Sequence, residues 1–142
     1  MPRVILELPE QFIFSTDIAV RISDINYGGH LGHDSLISLM HEARVRFLKT
    51  YSFAESDIDG FGLIMTDLVI LYKAEVFYGD TLTIKVAVHD FTKYGCDFFY
   101  RVLNREQKRD VAHAKTGIVF FDYAKRKIVG VPTSFKAAFG RK

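Results

Sequence analysis

In this chain of 142 residues one long stretch carries a helical period, and nearly everything after it alternates. The stretch is SLISLMHEARVRFLKTY, in which Leu36, Leu39, Met40, Ala43 and Phe47 recur at spacings of three and four. They draw an apolar stripe along a helix of about four or five turns. Downstream come four segments rich in β-branched and aromatic residues, at 63–77, 81–90, 95–103 and 111–122. YGD, FTKYG and NREQKRD separate them, connections short enough for antiparallel turns. In the second segment Leu82, Ile84, Val86 and Val88 alternate with polar partners. Upstream, residues 12–22 place Phe14, Thr16, Ile18, Val20 and Ile22 on one face, the period of a half-buried strand. A strand, a long helix and four successive antiparallel strands bury their apolar surface together only if the helix packs across one face of a curled sheet. The expected class is α+β, with PTSFKAAF predicting a short terminal helix that begins at Pro132.

The length fits one domain, residues 1–142. Apolar residues make up 49% and charged residues 25%, which points to a folded globular chain and away from a disordered tail or a membrane span. Thirteen Phe and seven Tyr exceed what a small core needs, so some rings are expected at a ligand slot or a subunit interface. A net charge of +2 without a long Lys/Arg run gives no footprint for nucleic acid. The single cysteine, Cys96, excludes an internal disulfide and a cysteine-rich zinc site. The apolar triplet of MPRVILELPEQ is broken at Glu7 and Pro9, too short for a signal sequence, so a cytoplasmic location is expected.

Chemistry concentrates in SDINYGGHLGHDS, residues 23–35, where the first strand gives way to the helix. Gly28 and Gly29 permit turn dihedrals and close ligand approach. A helix starting near His33 presents amides that lack intrahelical partners, at its positive end. Asp34 or Ser35 is the expected cap. Histidine suits the orientation or deprotonation of water near neutral pH, which makes His30 and His33 candidates for that work. As a metal pair they lack the helical His-Glu-x-x-His arrangement and further ligands, and no metal or cofactor is expected. Elsewhere, Asp67 interrupts the apolar run LIMTDLVILY, where a buried carboxylate needs a partner or a function. Lys73 and Glu75 read as a solvated pair. Lys125 and Arg126, in AKRKIVG, offer cations to a diphosphate.

Two stretches, VRISDINYGGHLGHDSLISLMHEARVRFL and YKAEVFYGDTLTIKV, make the chain resemble the hotdog-fold acyl-CoA thioesterases, in particular the 4-hydroxybenzoyl-CoA thioesterase-like branch. The first is similar to that branch's strand, Asp-x-Asp turn, glycine, and helix bearing Glu-Ala-Arg. The second is similar to its paired strands joined at a Gly-Asp turn. The resemblance implies a hotdog fold, a five-stranded antiparallel sheet wrapped around one long central helix. It implies an acyl-CoA or acyl carrier protein thioester as substrate, coenzyme A entering only as part of it, and a homodimer or homotetramer with the site between subunits. One position departs from the pattern: the branch's catalytic second acid is here Asn26, an amide that accepts no proton.

The resemblance thus assigns catalysis to Asn26, to the helix-start amide at His33 or its imidazole, and to Glu42, because a second branch uses an acidic helix residue as base or nucleophile. Glu42 and Arg46 also stand in ion-pair register, at i and i+4. Substrate binding falls to Tyr27, Gly28, Gly29, His30, Asp67, Lys125 and Arg126. The expected reaction is hydrolysis of an acyl thioester. Two alternatives remain: a non-catalytic acyl-thioester binder, motivated by Asn26, and an acyl-thioester dehydratase or hydratase. The loop lacks the Gly-Asp-x-x-Pro-x-His style of the latter.

Overall fold

The computed structural model describes residues 3–140, in which six strands and two helices build the fold. Strand β1 (Phe14–Ala19) leads through a short 3₁₀ turn (Ile22–Asp24) into helix α1 (His33–Thr50). Strands β2 (Gly62–Tyr72), β3 (Thr81–His89), β4 (Gly95–Asn104), β5 (Arg109–Asp122) and β6 (Lys127–Val129) follow, and helix α2 (Thr133–Phe139) closes the chain. The sheet is antiparallel in the order β1-β3-β4-β5-β2, with β6 paired to the end of β5. β1 and β2 are therefore its edges.

Two counts differ from expectation. The sheet has six strands rather than five, because the chain after the turn at 123–126 returns to pair Val129 with Phe120. There are also two helices, α1 of 18 residues and α2 of 7, in place of one long central helix. α2 occupies the segment that Pro132 marks, and it buries Phe135 and Phe139 against Phe47 and Phe98 of the main core.

The α1 stripe is legible residue by residue: Leu36, Leu39, Met40, Ala43 and Phe47 are all buried. Alternation in β1 stops sooner than the sequence suggests. Val20 still faces the core, but Ile22 falls in the 3₁₀ turn and is exposed. Likewise β2 ends at Tyr72 instead of running to residue 77. Beyond it the amides of Lys73 and Ala74 both donate to the Val111 carbonyl, and the strand leaves the ladder. No helix among the described residues is long and apolar enough to cross a membrane.

β4 and β5 approach so closely at one point that only glycine fits. A Cβ built on Gly95 would lie 1.8 Å from the Ile118 carbonyl oxygen, which is backbone and unable to yield. Gly95→Ala is expected to destabilise the protein by about 2 kcal/mol or more, read from the urea midpoint. An unchanged midpoint would show that the two strands separate easily.

Candidate active site

The segment between the 3₁₀ turn and α1 is fixed from inside by Asp24. Its carboxylate accepts hydrogen bonds from the Arg21 backbone amide at 2.9 Å and from the Arg21 guanidinium at 3.1 Å, while its carbonyl accepts from the Gly32 amide at 3.1 Å. Burial raises the Asp24 pKa, but the hydrogen bonds and charge of Arg21 outweigh it and hold the carboxyl below its ordinary value. The loop closes on itself as Ile25 bridges Leu31, Asn26 donates to the His30 carbonyl, and Gly29 donates to that of Asn26. Gly29 takes a φ of +86°, a conformation that a side chain would strain. Across the gap, the Leu31 amide donates to the Val76 carbonyl at 2.7 Å and ties the loop to the segment after β2.

This lacing decides how α1 begins. Its N-cap is Gly32, and no side chain caps the helix. Asp34 does not take that role, because its Oδ1 accepts from the adjacent Ser35 amide at 3.0 Å. The amides of His33 and Asp34 find no acceptor among the described residues. They are two orphan donors at the positive end of an 18-residue helix.

A cavity of about 380 Å³ opens there, between the α1 start and the segment after β2. Asn26, His30, Gly32, His33 and Leu36 form one wall, and Tyr72, Lys73, Ala74, Glu75 and Val76 form the other, with Val111 between. The Gly28 amide donates to Asn26 Oδ1 at 2.9 Å, which commits the oxygen and leaves the Nδ2 hydrogens to a ligand. His30 is half-buried with Nδ1 3.2 Å from the Leu31 carbonyl oxygen. A carbonyl only accepts, so this contact suits the tautomer that carries its proton on Nδ1 and leaves the Nε2 lone pair free. Glu75 lies 3.9 Å from that Nε2. The Tyr72 hydroxyl donates to the His33 carbonyl at 3.2 Å, and burial followed by the charge of Asp34 raises the Tyr72 pKa.

The cavity thus gathers Asn26, His30 and the amide of His33. Tyr27, Gly28 and Gly29 sit on its loop, with Tyr27 fully exposed. Glu42 lies elsewhere. Nine residues separate it from His33, two and a half turns of helix, so the two face opposite sides. Glu42 pairs with Arg46 at 2.8 Å beside Asp17 and Arg21, next to β1. Asp67 follows an irregularity in the β2–β5 register, where its Oδ1 accepts from the Gly117 amide and pairs with Lys115. Lys125 and Arg126 belong to an exposed turn beyond β5, the Lys125 amide donating to Asp122 Oδ1 and Arg126 lying over the Phe121 ring. Eleven residues of strand, roughly 35 Å, separate that turn from Val111 at the cavity. Tyr72, Lys73 and Glu75 are cavity residues that strand periodicity conceals; the one sequence signal is the polar pair interrupting an apolar run. Among the described residues no group of three or more His, Cys, Asp or Glu side chains gathers as a metal site.

Comparison with known proteins bears on this geometry. The family model described as the thioesterase-like superfamily matches residues 20–139. No curated protein matches. Among solved structures, a 1,4-dihydroxy-2-naphthoyl-CoA thioesterase from Synechocystis superposes with a TM-score of 0.82 at 20% identity, over 89% of this chain and 95% of that one. A DHNA-CoA thioesterase from Staphylococcus aureus gives 0.74 at 20% identity, over 82% and 78%. A gentisyl-coenzyme A thioesterase gives 0.77 at 18% identity, over 90% and 100%. Across such distances the likeness establishes a shared fold, the hotdog architecture.

The Asp24 clamp has a pH signature. Because its folded-state pKa lies below the ordinary 3.8, the stability it supplies is complete above that pH and is lost as pH falls through the folded value. Asp24→Asn is expected to cost about 1–3 kcal/mol at pH 7 and to lose less stability than the wild type on acidification below pH 3.8. Parallel acid limbs in urea melts of the two proteins would contradict this.

Proposed function

The chain belongs to the thioesterase-like superfamily, and from that premise we propose that it hydrolyses an acyl-CoA thioester to a free acid and coenzyme A thiol. The observation that carries the reading is the uncapped α1 start, with unpartnered amides at His33 and Asp34, beside a cavity lined by His33, His30 and Asn26. Seated there, the thioester carbonyl accepts from the two amides and from Asn26 Nδ2. All three donors are in place before negative charge develops on the oxygen.

Water then attacks the carbonyl carbon while His30 Nε2 takes its proton, the ring being held by the Nδ1 contact with Leu31. The nearby Glu75 carboxylate favours the imidazolium that results. Collapse of the tetrahedral intermediate breaks the carbon–sulfur bond, and the imidazolium returns its proton to the departing thiolate. In this scheme Asn26 is a hydrogen-bond donor and His30 supplies the base. Glu42, half a turn out of phase with His33, takes no part in the cavity of its own chain. The same separation weighs against a dehydratase that would pair a loop histidine with this helix carboxylate.

We assign the β2 edge to a second copy of the chain. β2 is an 11-residue strand, GLIMTDLVILY, unpaired on one side and rich in large apolar residues, a feature that invites pairing. Antiparallel pairing of two β2 edges about a two-fold axis sets the Gly62 end of one beside the Tyr72 end of the other. It thereby carries the partner's Lys125 and Arg126 toward this chain's cavity, where Lys73 already offers a cation to a diphosphate.

The direct experiment is thiol release from a panel of acyl-CoAs. The wild type is expected to liberate coenzyme A, and His30→Ala to lower kcat by about 100-fold or more. Glu42→Ala is expected to stay within a few-fold. Tight acyl-CoA binding with no thiol release from any member would favour the binding-protein reading and remove the hydrolase. Light scattering is expected to give twice the mass of one chain; a monomer at working concentration would remove the β2 pairing.

A further inference from the structure

The sheet ends in two edges, β1 and β2, which differ in what meets their outward backbone groups. In β1 the register runs from Phe14 against Val86 to Ala19 against Thr81, and the Val20 amide continues it onto the Asp80 carbonyl at 2.9 Å. Backbone groups alternate sides along an antiparallel strand. Thr16 and Ile18 therefore turn theirs to β3, in phase with Val20, while Ser15, Asp17 and Ala19 turn theirs outward. In β2 the Lys73 amide reaches the Val111 carbonyl at 2.8 Å, in step with the register from Asp67 to Tyr72. Leu68, Ile70 and Tyr72 face outward there, and none of their backbone groups has a partner among the described residues.

The β1 edge is not bare. Helix α1 runs beside it, and Ser38, Glu42 and Arg46 line a groove of about 420 Å³ together with Asp17 and Ala19. From that helix Arg46 reaches over the strand. Its Nη1 donates to the Asp17 carbonyl at 3.1 Å and to Thr16 Oγ1 at 2.9 Å, and its Nε donates to Glu42 at 2.8 Å. A nitrogen hydrogen-bonded to an outward carbonyl stands where the amide of an added strand would stand. Asp17 is the middle one of the three outward residues, so a new ladder would be interrupted at its centre. Its side chain is held as well, Oδ1 accepting from the Thr83 hydroxyl at 2.7 Å and Oδ2 lying 3.6 Å from Arg105. Displacing Arg46 would cost the Glu42 and Thr16 bonds along with that to Asp17. Two β1 edges meeting about a two-fold axis at Asp17 would also bring two Arg46 cations together. Charge on an edge strand deters an incoming one.

A chain with two pairing edges, each meeting its own copy about a two-fold axis, has no closed form. Every β2 dimer would keep two β1 edges, and sheets would add without end. Resting on the β2 pairing assigned above, we propose that Arg46 closes the β1 edge to a second copy of the chain and so ends assembly through the sheet at the β2 dimer. Glu42 then holds Arg46 over the edge, which gives the helix carboxylate a role outside the cavity.

The test is Arg46→Met, which keeps the aliphatic stem and removes the donors. The Arg46 side chain is 41% exposed, so its loss leaves the core intact. By light scattering the variant is expected to reach about twice the wild-type mass or more, rising with concentration. Amide hydrogen exchange at Ser15, Asp17 and Ala19 is expected to slow by about 10-fold or more relative to the wild type. Adding Ala19→Pro, which removes one outward amide from the same edge, is expected to return the mass to that of the wild type. An unchanged mass in Arg46→Met overturns the inference. So does growth without slower exchange at those three amides, growth that survives Ala19→Pro, or slow exchange of the three amides in the wild type itself. A wild-type monomer that pairs on losing Arg46 sustains the inference while removing the β2 pairing. A wild-type dimer whose mass Arg46→Met leaves unchanged does the reverse.

Discussion

Everything proposed for this chain depends on how its first helix begins, and Asp24 sets that beginning. One buried carboxylate captures the Arg21 amide and guanidinium while its own carbonyl holds the Gly32 amide, so the loop must double back before α1 starts. A helix entered in this way starts at the cavity, through Gly32 and His33, with no side chain capping its first amides. The conformational cost of the loop is met before any ligand arrives, which is what pre-organised donors require. The first acid of the Asp-x-Asn turn is thus a positioning group, and the amide at the third place lines the cavity.

The second constraint is the seam between α1 and β2. The cavity at the α1 start lies along it, and β2 is also the free edge of the sheet. A substrate lying in the seam and a second chain pairing with the edge would share one boundary. Loss of pairing would then loosen one wall of the cavity as well as remove the partner's cations. The irregularity in β2 between Met65 and Asp67 lies on the same edge, and Asp67 secures it through the Gly117 amide and Lys115.

Much of the fold could be read from periodicity, because burial by a single apolar face leaves a regular trace. The α1 stripe and the alternating Leu82, Ile84, Val86 and Val88 of β3 follow it closely. Failures occurred where backbone hydrogen bonding overrode side-chain pattern. Ile22 continues an alternation that the 3₁₀ turn ends, residues 73–77 keep strand-like composition after leaving the ladder, and β6 is too short to carry a period. At the site, the glycine loop and the helix-start amides were legible because their chemistry is local. Tyr72 was not, since its place at the cavity arises from a hydrogen bond to the His33 carbonyl, distant in sequence. Nor was the balance between the histidines. The sequence favours His33 by position, whereas His30 is the ring held by its neighbour's carbonyl with a nitrogen to spare.

The central claim, that the opening amides of α1 receive the acyl carbonyl, is open to direct observation. In amide proton–nitrogen spectra, a dethia acyl-CoA analogue that keeps the carbonyl but cannot be cleaved is expected to move the His33 and Asp34 resonances strongly downfield on saturation. Resonances of the α1 C-terminal turn should stay in place. If the analogue binds and those two amides do not move, the carbonyl sits elsewhere and the account fails at its base.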